Sequence, residues 1–148
     1  MSPLSEIRVR DLMSRDPETI APDAPLGAAL AAMRAQEIRH LPVVEPGGRL
    51  VGIVTDRDLR QAMLARSHAL RDANRDLQVQ DVMTCGVVTV EPDATVVRAA
   101  TLMHERKIGS VPVVEGGRLA GIVTERDLLR AVMRESPARA TAVEPFLW

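Results

Sequence analysis

The chain has 148 residues, with 19 Lys and Arg against 20 Asp and Glu and a formal net charge of −1. That length holds one well-buried domain, or two small halves sharing a core. The even charge balance leaves no basic face for nucleic acid, and the absence of any run of 18 apolar residues excludes a membrane span.

A short helical turn is expected around Asp11 and Met13, then a short strand over residues 18–21. Pro22-Asp23-Ala24-Pro25 supplies turn residues and a helix N-cap candidate. Leu26, Leu30, Met33 and Ile38 recur at helical spacing and predict a helix with one apolar face. Residues 41–45 and 50–54 are apolar strands joined at Pro46-Gly47-Gly48, a hairpin signal. The second strand runs straight into a helix carrying Leu59, Met63 and Leu70, and residues 67–78 are a polar linker or helix extension.

The series then begins again. Asp81 and Met83 repeat the turn, residues 88–91 the strand, and Val96, Ala100 and Met103 the helical stripe. Residues 111–115 and 119–123 repeat the hairpin around Gly116-Gly117, and Leu128, Val132 and Met133 the last helix. With one gap at Gly48, roughly 25 of about 55 positions are identical at a spacing of about 70. The expected fold is therefore α+β (α/β-type), two tandem β-α-β-β-α units over residues 7–66 and 79–135, with an irregular tail at 136–148. A unit this long is no solenoid repeat. Two copies suggest closure around a pseudo-twofold axis, so a site at the seam should exist twice.

Aromatic residues are confined to Phe146 and Trp148 in the tail, so Val, Ile, Leu, Met and Ala must fill the core and no ring within the repeats can stack a base. The methionines recur at matching places and read as core fillers, with some at a helix–helix dimer face. Helices over 57–66 and 126–134 carry apolar residues that the unit leaves partly uncovered, which predicts a homodimer. A single Cys85 and no secretory segment point to a reducing, cytoplasmic setting.

In both copies Gly-Ile-Val leads into Thr-x-x-Asp at a helix start, at Thr55/Asp58 and Thr124/Asp127. Read structurally, this is a capping box worth about 1 kcal/mol. Read functionally, free amides at the helix start suit a phosphate, and an ionised aspartate suits the two hydroxyls of a ribose. Gly52 and Gly121, three residues earlier, would let a base or a backbone approach.

Asp-x-Met at both starts, a Pro-Val-Val strand in each copy and the Gly-Ile-Val-Thr-x-Arg-Asp-Leu ends together resemble a CBS-domain pair, or Bateman module, over about residues 7–135. Stand-alone bacterial CBS-pair proteins are a particular likeness. The resemblance implies a regulatory module that binds AMP, ADP, ATP or a related compound such as S-adenosylmethionine. Magnesium would come only with a polyphosphate, and no cofactor is obligatory. It also implies sites shared across the pseudo-twofold. One would join Thr124, Arg126 and Asp127 to Thr19, Ile20, Ala21, Arg39, His40, Leu41 and Pro42. The other would join Thr55, Arg57 and Asp58 to Thr89, Val90, Gly109, Ser110, Val111 and Pro112. Glu91 stands beside the second where Ala21 stands beside the first. Arg39 and His40 offer cationic donors, so the first site is expected to hold the phosphorylated nucleotide.

Arg57 and Arg126 read equally as contacts to phosphate or to a partner subunit and as first-turn arginines lying over their own helices. His68 and His104 lack ligand spacing with Cys85, so no metal site is expected, and Cys85 reads as a small packed residue. No Ser/His/Asp, Cys/His or paired-carboxylate set falls on elements that the repeat brings together, which argues against an enzyme. Two functions compete: a nucleotide sensor acting on an unknown protein target, and a ligand-free scaffold working through its dimer surface or its tail.

Overall fold

The computed structural model describes residues 3–68 and 77–135. The linker segment 69–76 and the tail with Phe146 and Trp148 lie outside the described residues. After a 3-10 turn at Leu4–Glu6, copy one runs α1 (Val9–Leu12), β1 (Ser14–Arg15), α2 (Leu26–Gln36), β2 (His40–Val44), β3 (Leu50–Thr55) and α3 (Asp56–His68). Copy two runs α4 (Val79–Val82), α5 (Val96–Arg106), β4 (Ser110–Glu115), β5 (Arg118–Thr124) and α6 (Glu125–Glu135). The α+β class expected from the sequence is the one observed.

The hairpins form as the glycine turns require. β2 pairs antiparallel with β3, and β4 with β5. The strands expected at 18–21 and 88–91 shrink to single residues, Ile20 and Val90, each in a parallel bridge to Val43 or Val113. Pro22 and Pro92 follow closely and cannot donate, so the pairing stops there. α2 and α5 both end on a left-handed residue, Glu37 (φ 53°) and Lys107 (φ 54°). This folds Ile38 and Ile108 back to donate to Met33 and Met103 carbonyls at 3.0 and 3.1 Å.

The packing units do not coincide with the sequence repeats. β1 of copy one adds to the sheet of copy two, with Ser14 opposite Ile122 and Arg15 opposite Gly121. Thr84 makes the reciprocal bridge to Ile53. Val9 N–H donates to Ala94 O and Val79 N–H to Ala24 O, both at 2.8 Å. Each half therefore lends its first residues to the other. Val9 is fully buried in a core with Val90, Ala99, Leu102, Met103, Val111, Val113 and Val123, while Val79 is buried with Ala29, Met33, Leu41, Val43, Val54 and Leu59.

The exchange explains both Gly-Ile-Val glycines. A Cβ on Gly121 would lie 2.7 Å from Ser14 O and 2.8 Å from Met13 Sδ; one on Gly52 would lie 2.7 Å from Met83 Sδ and 2.9 Å from Thr84 O. What approaches these glycines is the backbone of the other half, and no base is needed to account for them. The methionines divide accordingly. Met33 and Met103 are buried, Met13 and Met83 half-buried against the glycines, and Met63 and Met133 exposed. With Leu64, Leu129 and Val132, the last two are exposed apolar residues of α3 and α6. Cys85 is exposed, contrary to the packed role expected of it, because it occupies the outward position that Arg15 takes in copy one.

Candidate ligand-binding clefts

β3 and β5 each end on a threonine and pass into a helix without a loop. Thr55 N–H donates to Asp58 Oδ2 at 3.0 Å and Asp58 N–H to Thr55 Oγ1 at 3.1 Å. In copy two, Thr124 N–H and its hydroxyl donate to Asp127 Oδ2 at 2.8 and 3.1 Å, and Asp127 N–H reaches Thr124 Oγ1 at 3.4 Å. Both are capping boxes. Each uses a single carboxylate oxygen, so capping leaves the other for a ligand. Asp58 Oδ1 has no hydrogen-bond partner among the described residues, whereas Asp127 Oδ1 faces Arg130 at 3.7 Å. Copy one has Gln61 in the place of Arg130.

Each box opens into a cleft whose far wall comes from the other half. The Thr55 cleft, about 450 Å³, runs from Ile53, Thr55, Asp56, Arg57 and Asp58 to the exchanged segment at Thr84, Gly86, Val87 and Val88, and on to the α5–β4 junction. The Thr124 cleft, about 400 Å³, runs from Ile122, Thr124, Arg126, Asp127 and Arg130 to Ser14, Asp16, Pro17 and Glu18, and on to the α2–β2 junction. The two are related by the sequence repeat almost residue for residue.

Of the residues expected around the Thr124 cleft, Thr124, Arg126, Asp127, His40 and Pro42 line it. Thr19, Ile20, Ala21, Arg39 and Leu41 do not. Ile20 is held by its bridge to Val43, and Leu41 is fully buried in the core. Around the Thr55 cleft, Thr55, Arg57, Asp58, Gly109 and Ser110 line it. Val90, Val111 and Pro112 are buried, and Thr89 lines a separate groove beside Arg49.

The cationic wall is not where the sequence placed it. Arg39 is exposed and lines neither cleft; its carbonyl accepts the Asp56 N–H at 3.0 Å, as Gly109 O accepts Glu125 N–H at 3.1 Å. The bases instead come from the last turn of α5 and its cap, Arg106 and Lys107, and they line the Thr55 cleft. Their counterparts in the Thr124 cleft are Gln36 and Glu37. Sequence reasoning passed over all four. The signal was available, since setting the two helix ends side by side exposes Gln36-Glu37 against Arg106-Lys107.

His40 lines both clefts. Its ring stands 3.6 Å from where a Gly109 Cβ would lie, and the Glu125 carboxyl carbon 3.7 Å from that same point. Burial holds its imidazole below the ordinary pKa, against the pull of Asp56, Glu125 and Asp58 and aided by Arg39. The ring is therefore neutral near pH 7 and brings no fixed positive charge to either cleft. A depressed folded pKa means that the unfolded chain takes up the proton first. The stability due to a neutral His40 is complete above about pH 6.5 and is lost as pH falls below it. Urea midpoints between pH 7.5 and 5.5 should thus fall more steeply for the wild type than for His40→Gln. Parallel slopes would refute the assignment.

Among the described residues no group of three or more His, Cys, Asp or Glu comes together as a metal site, and no helix is long and apolar enough to cross a membrane.

Comparison with known proteins agrees with this geometry. The CBS domain family model matches residues 9–65 and 79–134. A CBS domain-containing protein of Dictyostelium discoideum is 39% identical over 137 residues, covering 87% of this chain and 93% of that protein. Homoserine O-acetyltransferase of Methanohalobium evestigatum is 35% identical over 130 residues, but the match spans only 25% of that enzyme's length. Among solved structures, CBSX2 in complex with AMP superposes with a TM-score of 0.79 at 28% identity, over 88% of this chain and 98% of that one. The CBS domain pair of protein MJ0100, in complex with 5′-methylthioadenosine and S-adenosyl-L-methionine, gives 0.75 at 31% identity over 86% and 97%. With both copies matched and the architecture shared, the chain belongs to the CBS domain family, as a tandem CBS pair.

Proposed function

We propose that the protein is a non-catalytic, cytoplasmic regulatory module that binds adenosine compounds in its two inter-repeat clefts and signals through the geometry of a homodimer. The observation that carries this reading is the Asp58 carboxylate. One oxygen closes the helix cap, the other has no partner among the described residues, and Asp58 lines a 450 Å³ cleft. That arrangement suits a ribose diol, with Ile53, Val87 and Val88 supplying apolar surface for a base. Relatives solved with AMP, or with 5′-methylthioadenosine and S-adenosyl-L-methionine, support the same ligand class. Magnesium enters the reading only as a companion of ATP or ADP.

The exposed Met63, Leu64, Leu129, Val132 and Met133 give two helices an apolar face of the kind that a second copy covers. A ligand can then signal only by binding one dimer shape more tightly than another. The test is thermal unfolding with AMP, ADP, ATP and S-adenosylmethionine, with the molar mass measured in parallel. A ligand at 100 times its Kd adds about 2.7 kcal/mol, which for a chain of this size raises the midpoint on the order of 5–10 °C. A dimer that responds to none of them would be a scaffold acting through its surface.

A further inference from the structure

Within that adenosine-binding reading, we propose that the two clefts sort their ligands by charge. The Thr55 cleft takes a phosphorylated adenosine compound, and the Thr124 cleft takes one without phosphate, either a neutral thioether or a cationic sulfonium. The clefts share a scaffold and differ in what lines it. The Thr55 cleft has Arg57, Arg106 and Lys107 against Asp56 and Asp58, three bases to two acids. The Thr124 cleft has Arg126 and Arg130 against Asp16, Glu18, Glu37 and Asp127, two bases to four acids. Their formal charges are thus +1 and −2, with the neutral His40 common to both. A phosphate entering the second cleft would meet net repulsion, and one entering the first net attraction.

Two further differences point the same way. Ser110 is 4% exposed and lines the Thr55 cleft, and its hydroxyl has no hydrogen-bond partner among the described residues. A buried, unanswered hydroxyl in the cleft that also holds the start of the 13-residue α3 is a donor awaiting an acceptor. The equivalent position in copy one is His40, which is bulkier. In the Thr124 cleft, moreover, Arg130 faces Asp127 at 3.7 Å, so one of its two bases is engaged with the carboxylate meant for the ribose. The residues that set the contrast, Arg106 and Lys107 against Gln36 and Glu37, are all exposed and lie outside both cores. They can be exchanged without disturbing packing, and Glu37 and Lys107 already share the same left-handed backbone.

The test is calorimetric titration of the full chain with AMP and with 5′-methylthioadenosine. Wild-type protein should bind one AMP per chain. The double variant Arg106→Gln/Lys107→Glu should weaken AMP at least tenfold, since hydrogen bonds to charged groups are worth that much or more, and leave 5′-methylthioadenosine within about twofold. The reciprocal Gln36→Arg/Glu37→Lys should raise AMP stoichiometry toward two. AMP binding that ignores both exchanges, or that starts at two equal sites, overturns the sorting while leaving adenosine binding in place. Failure of the folded wild type to bind AMP, ADP, ATP, S-adenosylmethionine or 5′-methylthioadenosine overturns the adenosine reading itself.

Discussion

Gly121→Ala should lower the unfolding midpoint by roughly 3–10 °C, although it adds one methyl group to a strand. The new Cβ would stand 2.7 Å from Ser14 O, and that oxygen belongs to β1, paired with β5 at this very residue. Met13 Sδ could swing aside, but the carbonyl can retreat only by breaking the pairing of Ser14 and Arg15 with Ile122 and Gly121. Overpacking of this kind costs about 1–3 kcal/mol, and each kcal/mol moves the midpoint by about 2–4 °C in a chain of this size. Gly121 has no positive φ, so backbone strain does not confuse the result. Gly27→Ala is the control. It occupies an exposed position of α2 with nothing within 4 Å of the added carbon, and should be neutral or stabilising. A Gly121→Ala protein melting with the wild type would show that β1 does not dock on the other half in solution.

Asp58→Asn should separate the two duties of the Thr-x-x-Asp aspartate. The amide oxygen can still accept the Thr55 N–H now bound at 3.0 Å, so the helix start survives and stability should shift by no more than about 0.5 kcal/mol. The other acceptor, Oδ1, becomes an NH₂ donor without charge. A ribose diol held by a carboxylate then loses a charge-assisted acceptor, worth about 1.5–3 kcal/mol, and affinity in the Thr55 cleft should fall about 10- to 100-fold. Calorimetry with AMP beside thermal unfolding reads both quantities in one preparation. Unchanged affinity would reduce Asp58 to a cap and nothing more.

The duplication, the hairpins and the strand-to-helix junctions were legible because each has a local signature. Gly47-Gly48 and Gly116-Gly117 mark turns, and Thr followed by Asp three residues later marks a helix start. Where local patterns are equal, sequence is silent. The segments that begin at Val9 and Val79 carry apolar residues at the same positions, so docking on their own half or on the other leaves the same pattern. Only the glycines hinted that something approaches closely, and they did not say what. Arg39 misled for a different reason. It lies two residues past the left-handed cap Glu37 and is exposed, while its neighbour His40 lines the clefts. Arg106 and Lys107 were hidden because exposed cations at a helix C-terminus ordinarily serve the dipole.

The reciprocal loan of opening residues also bears on how such a molecule could have arisen. A lone copy would leave its hydrophobic interior unfinished, with Val111 and Val123 lacking the valine that completes them. Only a sister polypeptide donating the same stretch could close it. Covalent fusion of two copies replaces that bimolecular trade by an internal one, at an effective concentration in the millimolar range. Afterwards each copy is free to diverge at its binding wall, because neither has to serve as its own mirror image.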